Sequence, residues 1–321
     1  MINKQSYLIV GRAGLDLAPE PQGAGIDAAQ YFSASLGGSA ANIAAGLTRL
    51  GAKAQLFTCL SQDPVGDYCL QQLAAYEIGT DYVFRSAGQT RTSLALSEAR
   101  IENHRTVIYR NQAADFEIKP EQANQIALSS ISSVVVTGTA LALEPSRAAV
   151  MVLFARAKRA NIACVLDIDY RPYSWVSPQD ASATLIAAAQ FCEIVVGNED
   201  EFDVMAGGKD LGLEFAQEFS RNQQSICVYK RGEKGSTTFH DANSFDVSIF
   251  PAKPLKPTGA GDSFLAAFLV AKNTEKSLKE AVLHGSAAAS MVVSRPGCAP
   301  AMPSQAELDQ FLATHQPIAI V

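Results

Sequence analysis

The run Thr258-Gly259-Ala260-Gly261-Asp262-Ser263 leads straight into the apolar stretch Phe264–Ala271. Small residues ahead of an amphipathic helix leave several backbone N–H groups free at its N-terminus, where the helix dipole favours an anion. An aspartate inside such an anion hole has two readings. As a first-turn carboxylate, Asp262 caps the helix. As a carboxylate aimed at a ligand hydroxyl, it takes a proton while the N–H donors stabilise charge on a phosphoryl group under attack. A second cluster, Gly37-Gly38-Ser39-Ala40-Ala41-Asn42, places two glycines where the backbone can approach a ligand and an amide one turn into a helix. Tight strand–helix packing accounts for the same two glycines.

Asn198-x-x-Glu201 has the spacing of a helix cap answered by a carboxylate at the third helical position. Lys230-Arg231-Gly232-Glu233-Lys234-Gly235 reads as a hairpin turn. Arg12, Arg110 and Arg171 each follow a strand-like run. A lone arginine is normally a solvated surface group, but three at strand ends facing one crevice could grip a carboxylate through the planar guanidinium fork. His284 is expected to be a packing or capping residue.

The elements that must position these groups are legible as an alternating pattern. Residues 7–11, 54–60, 133–138, 163–169, 193–198 and 226–230 are short apolar runs expected as buried strands. Residues 39–51, 145–160 and 180–190 carry apolar residues at helical spacing. This predicts an α/β fold, a mainly parallel sheet flanked by helices on both faces. Residues 15–36 and 90–110 break the rhythm. They alternate like half-exposed antiparallel strands, the second pair turning at Glu102–His104, and are expected to form a small inserted β-sheet lid. The expected division is a core of 1–14, 37–89 and 111–321 with a lid of 15–36 and 90–110. A chain of 321 residues with 48% hydrophobic content is long enough to bury such a core. A net charge of −6 with no Lys/Arg block argues against a nucleic-acid partner, so any anionic ligand must be held by local cations. The six cysteines lack metal-ligand spacing and are expected as buried thiols in a reducing compartment. With no long apolar run, no membrane partner is expected, and the location expected is cytoplasmic. No Gly-x-Gly-x-x-Gly follows the first strand, which argues against a dinucleotide oxidoreductase.

Taken in order, GRAGLD (11–16), GGSAANIA (37–44), GNEDE (197–201), KRGEKG (230–235) and TGAGDSF (258–264) resemble the motifs of the ribokinase-like (PfkB) carbohydrate kinases over essentially the whole chain. The resemblance implies ATP and Mg2+ as cofactors and assigns roles position by position. Asp262 would be the base for the attacking sugar hydroxyl, and Gly259, Ala260 and Gly261 the anion hole. Lys230, Gly232, Gly235 and Lys256 would lie beside ATP, with Gly259 and Gly261 at its phosphates. Asn198 and Glu201 would meet Mg2+ indirectly, through its waters. Asp16, Gly37, Gly38 and Asn42 would bind the sugar. The run Asp167–Trp175, D-x-x-Y-R-P-x-x-W, is similar to sugar-acid kinases of the family, which adds Arg12, Arg110 and Arg171 as substrate-binding residues. Kinases of 2-keto-3-deoxygluconate, fructose or ribose are alternatives within the class. A non-catalytic sugar- or nucleotide-binding regulator is the alternative outside it. One departure stands out. Lys256-Pro257-Thr258 occupies the place where family members often have Asp-Thr, an acidic residue associated with a monovalent-cation site. A cation requirement is therefore left open, and a homodimer through the lid is a further expectation.

Overall fold

The computed structural model describes residues 5–98, 100 and 105–319. Its strands are β1 (Ser6–Val10), β2 (Gly14–Glu20), β3 (Tyr31–Gly37), β4 (Lys53–Ser61), β5 (Val83–Ser86), β6 (Leu94–Ser97), β7 (Thr106–Tyr109), β8 (Ser133–Thr137), β9 (Ala163–Asp167), β10 (Ile194–Asn198), β11 (Ile226–Lys230), β12 (Ser236–His240) and β13 (Asn243–Val247). Nine of them form one sheet in the order β13-β12-β11-β10-β9-β8-β1-β4-β5. From β11 to β5 every pairing is parallel, while β12 and β13 add antiparallel at one edge.

Burial on both faces explains why runs such as Ser133–Thr137 are continuously apolar rather than alternating. Tyr7, Ile9, Val135, Val165 and Val196 feed one core, shared with the helices Ser39–Arg49, Ala260–Lys272 and Leu278–Val293. Leu8, Val10, Val134, Val136 and Leu166 feed the other, shared with Ser146–Arg159 and Pro178–Ala189. Because β1 lies between β4 and β8, the chain first builds outward on one side and then returns to build on the other. That reversal leaves a crevice beyond the carboxyl ends of β1 and β8, where open α/β sheets bind ligands. All six cysteines are free thiols, five of them buried. Among the described residues no helix is long and apolar enough to cross a membrane.

The remaining strands make a second sheet, ordered β3-β2-β6-β7. Its outer pairs are antiparallel but β2 and β6 run parallel, which corrects the all-antiparallel expectation. The cause is topological: two separate excursions from the core each supply an antiparallel pair, and the pairs join side by side. The turn expected at Glu102–His104 lies outside the described residues. Register assigns Asp16, Ser35, Ala95, Ser97 and Ile108 to one face of this sheet, and these residues line the crevice. The other face carries Leu15, Leu17, Pro19, Phe32, Ala34, Leu36, Leu94, Leu96, Val107 and Tyr109, all apolar or aromatic. The alternation read from the sequence is real, but its polar face is the inward one.

Candidate active site

A cleft of about 680 Å³ opens between the carboxyl ends of the large sheet and the small sheet. Gly259 opens its floor in the left-handed region, at φ +83°, and the helix Ala260–Lys272 begins at the next residue. A side chain at 259 would strain that turn and press on Cys298. Asp262 sits in the first helical turn, where its Oδ2 accepts a 2.8 Å hydrogen bond from Asn42 Nδ2. Burial, reinforced by the nearby Asp169 carboxylate, lifts the Asp262 pKa to about 6 in spite of the Asn42 hydrogen bond, Arg171 and Lys230. The oxygen of the Asn42 amide, Oδ1, is buried and without a protein partner among the described residues. Asn42 and Asp262 thus leave a buried acceptor and a carboxylate facing a space open to a hydroxyl donor.

A floor of carboxylates lies beside them. Asp167, ending β9, is pushed well above the usual carboxylate range, first by burial and then by Asp169, Glu201 and Asp262, with Lys230 opposing at 3.9 Å. Asp169 holds a left-handed backbone, φ +37°, and is pinned by Thr139 Oγ1 at 3.0 Å and Arg171 Nη2 at 2.8 Å. Asn198 and Glu201 form a reciprocal capping box. Asn198 Oδ1 accepts from the Glu201 amide at 2.9 Å, and Glu201 Oε2 accepts from the Asn198 amide at 2.8 Å. Glu201 Oε1 turns toward Arg171, 3.7 Å away. Both residues line the cleft as well, so the cap and a cleft position coexist. Asp167, Asp169 and Thr139 are absent from the sequence-based set. Their available signal was the position of Asp167 and Asp169 just past an apolar strand.

The three arginines all line the cleft, but none is free. Arg12 donates to Ser93 Oγ at 2.6 Å and lies 3.4 Å from Asp16. Arg110 is buried and gives both Nε and Nη2 to Asp115 Oδ2, at 3.0 and 2.5 Å, while its guanidinium stacks on Phe116 at 4.4 Å. Arg171 is the most exposed of the three, with 42% of its side-chain surface accessible. The expectation of three arginines awaiting a carboxylate is thus narrowed to partly committed charges. Asp16, half-buried beside Arg12, has a pKa raised by desolvation against the pull of Arg12 and Lys256.

Gly38, at φ +97°, brings the backbone against the Arg12 carbonyl, and a side chain on Gly37 would strike the Asp16 carboxylate. The Gly-Gly pair therefore packs tightly and opens the cleft together. Lys230-to-Gly235 is a hairpin connection between β11 and β12, with Lys230 and Gly232 lining the cleft and Gly235 turned away from it. Lys256 is buried and donates from Nζ to the Thr258 carbonyl at 2.6 Å. His284, on the helix Leu278–Val293, lies outside the cleft lining, and burial lowers its pKa.

This geometry has known counterparts. A family model described as pfkB family carbohydrate kinase matches residues 4–305. The chain belongs to the pfkB family of carbohydrate kinases. A 5-dehydro-2-deoxygluconokinase from Photobacterium profundum is 36% identical over 314 residues, covering 96% of this chain and 95% of that protein. A fructokinase double mutant from Vibrio cholerae O395, solved with fructose, ADP and potassium, superposes with a TM-score of 0.84 at 24% identity, covering 96% of this chain and 98% of that one. A putative ribokinase II from E. coli in complex with ATP and Mg2+ gives 0.84 at 18% identity, covering 97% of this chain and 100% of that one. These solved structures share the ribokinase-like fold of this chain.

Proposed function

We propose that this kinase transfers the γ-phosphoryl group of ATP to the terminal hydroxyl of 5-dehydro-2-deoxy-D-gluconate, a step of inositol breakdown. The observation that carries the reading is the joining, in one cleft, of a half-buried carboxylate in the first turn of the helix opened by Gly259 with three arginines. The printed activity of the 36% identical relative supports the same substrate. Asp262 takes the proton of the substrate hydroxyl as its oxygen attacks the γ-phosphorus. The bond from phosphorus to the ADP oxygen breaks, and charge on the equatorial oxygens is met by the amides around Gly259, Ala260 and Gly261. Asn42 aims the Asp262 carboxylate, while its free Oδ1 accepts a second hydroxyl. Arg171, the most exposed of the three arginines, receives the substrate carboxylate together with Arg12 and Arg110, and the lid of 15–36 and 90–110 covers it. Lys230, Gly232 and Lys256 lie along the phosphates.

Mg2+ suits the donor set through water. Asn198 and Glu201 are occupied by their mutual cap, and no group of three metal-ligating side chains is present among the described residues. The carboxylate floor nonetheless favours a cation arriving on phosphate oxygens. Bound there, Mg2+ would neutralise charge on the phosphates. A second copy of the chain covers the apolar outer face of the lid. The free thiols and the need for ATP suit the cytoplasm. The test is ADP release with 5-dehydro-2-deoxygluconate, 2-keto-3-deoxygluconate, fructose and ribose at matched concentrations. The expected order puts 5-dehydro-2-deoxygluconate first in kcat/KM. A preference for fructose or ribose would overturn the sugar-acid reading, and no turnover of any of them would overturn the kinase reading.

A further inference from the structure

Among the described residues, five cationic side chains line the cleft. Arg12, Arg110, Arg171 and Lys230 each have a carboxylate within 4 Å. Lys256 has none, although only 4% of it is exposed. A buried ammonium without a carboxylate is costly unless something at the site requires its charge. Its one protein acceptor is the Thr258 carbonyl, the peptide just ahead of Gly259. The same segment is fastened from behind, where the amides of Leu255 and Lys256 donate to the Val293 carbonyl at 2.7 and 3.3 Å. Pro257, lacking an N–H and fixed in φ, stiffens the bend between the two anchors.

Carbonyl oxygens are what a dissociable monovalent cation uses as ligands, and the fructokinase with the same fold carries potassium. In this chain the carbonyl beside the anion hole is taken by a covalently attached ammonium. The residues here do not suit a potassium ion. We propose that Lys256 is a built-in monovalent cation: its ammonium fixes the Thr258 carbonyl, sets the Gly259–Gly261 amides, and frees the kinase from any potassium requirement. Lys256 acts here as a positioning residue. The inference rests on the phosphotransfer reading of the cleft for its kinetic arm but not for its binding arm.

The experiment compares wild type with Lys256→Ala and Lys256→Met in tetramethylammonium, sodium, potassium and ammonium chloride. Ionic strength is held constant so that screening is equal, and wild-type rates should agree within about twofold. Thermal melts in the same salts should not separate for wild type, because no vacant site binds potassium. Lys256→Ala should lose activity roughly 10- to 100-fold, the scale of a charged hydrogen bond. It should recover part of that loss in potassium or ammonium and melt higher in those salts. Lys256→Met, which fills the space without charge, should lose activity without recovery. Potassium activation or stabilisation of wild type would overturn the proposal, as would a fully active Lys256→Ala. So would a loss in Lys256→Ala that neither cation relieves. If the kinase reading fails, no salt yields ADP and the wild-type melts still decide the cation question. They decide it too if a variant does not fold.

Discussion

Asn42 Nδ2 and Asp262 Oδ2 meet at 2.8 Å although 220 positions separate them in the chain. One stands in the first helix after strand β3, the other in the helix that Gly259 opens, and the two helices contribute Ile43, Leu47, Phe264 and Phe268 to one core. Core packing therefore fixes the direction of the carboxylate before any ligand arrives.

Asp262→Asn preserves that shape and removes the proton acceptor, so turnover should fall by ~10²-fold or more while ATP still binds. With the pKa raised to about 6, the carboxylate is charged above that value, so the kcat/KM of wild type should fall as pH drops through about 6. The stability effect has the opposite sense. The buried charge costs stability above pH 6, and that cost is released as pH falls toward the ordinary carboxylate value near 3.8. Asp262→Asn should therefore be more stable than wild type at pH 8, by on the order of 1–3 kcal/mol, with the gap closing toward about pH 4. A variant with near-normal turnover would remove the base assignment.

Arg110→Ala should act first on stability. Its partner Asp115 has a side chain 2% exposed, with Oδ1 already lacking a partner, so the truncation strands a buried charge. The expected loss is ~3–5 kcal/mol in denaturant titration. An unchanged midpoint would mean that the pair is not held in solution.

Arg171 gives the cleaner test of the carboxylate grip because its guanidinium is partly accessible. Arg171→Ala should raise KM for 5-dehydro-2-deoxygluconate roughly 10- to 100-fold, the equivalent of a charged hydrogen bond, and leave the fructose KM nearly unchanged. Lysine should rescue only partly, lacking the planar fork. Equal losses on both sugars would leave Arg171 a support for Asp169 and Glu201.

The sequence made the frame of the site readable because its strands are buried on both faces and its helices on one, so hydrophobic spacing reports them directly. The motif glycines were readable for a related reason: Gly259 and Gly38 occupy positive-φ turns that few other residues tolerate. What pairing does to charge was not readable. Arg110 looks free in the sequence, and its engagement with Asp115 depends on the turn that carries Ala114–Glu117 back under the strand. Asp169 was hidden for a similar reason, since its place in the cleft follows from a left-handed kink just past β9. The lid misled through its pattern. Alternation marks two different faces without saying which one meets solvent, and here the polar side faces the cleft.

Glu201→Gln should keep the cap to the Asn198 amide and lose the charge that faces Arg171. The Mg2+ concentration for half-maximal rate should rise by ~10-fold or more, the scale of losing an outer-shell partner of a metal. A lowered melting temperature with an unchanged Mg2+ titration would return the motif to capping alone.

The lid's outer face gives the last prediction. Phe32 and Val107 are 37% and 40% exposed and Tyr109 is 61% exposed, all on a sheet face with no polar residue among those described. An apolar face of this kind marks an interaction surface, and β3 and β7 are the edge strands of the sheet. Two copies joined through this face would hide both surfaces and brace the strands that carry Asp16 and Ala95 over the cleft. Val107→Lys and Phe32→Asp place charge at the centre of such an interface, where desolvation without a partner is unfavourable. Sedimentation should therefore give twice the chain mass for wild type and the single-chain mass for the double variant. Because the lid would be less firmly braced, KM for the sugar should rise more than KM for ATP. A wild type that sediments as one chain at micromolar concentration would remove the dimer.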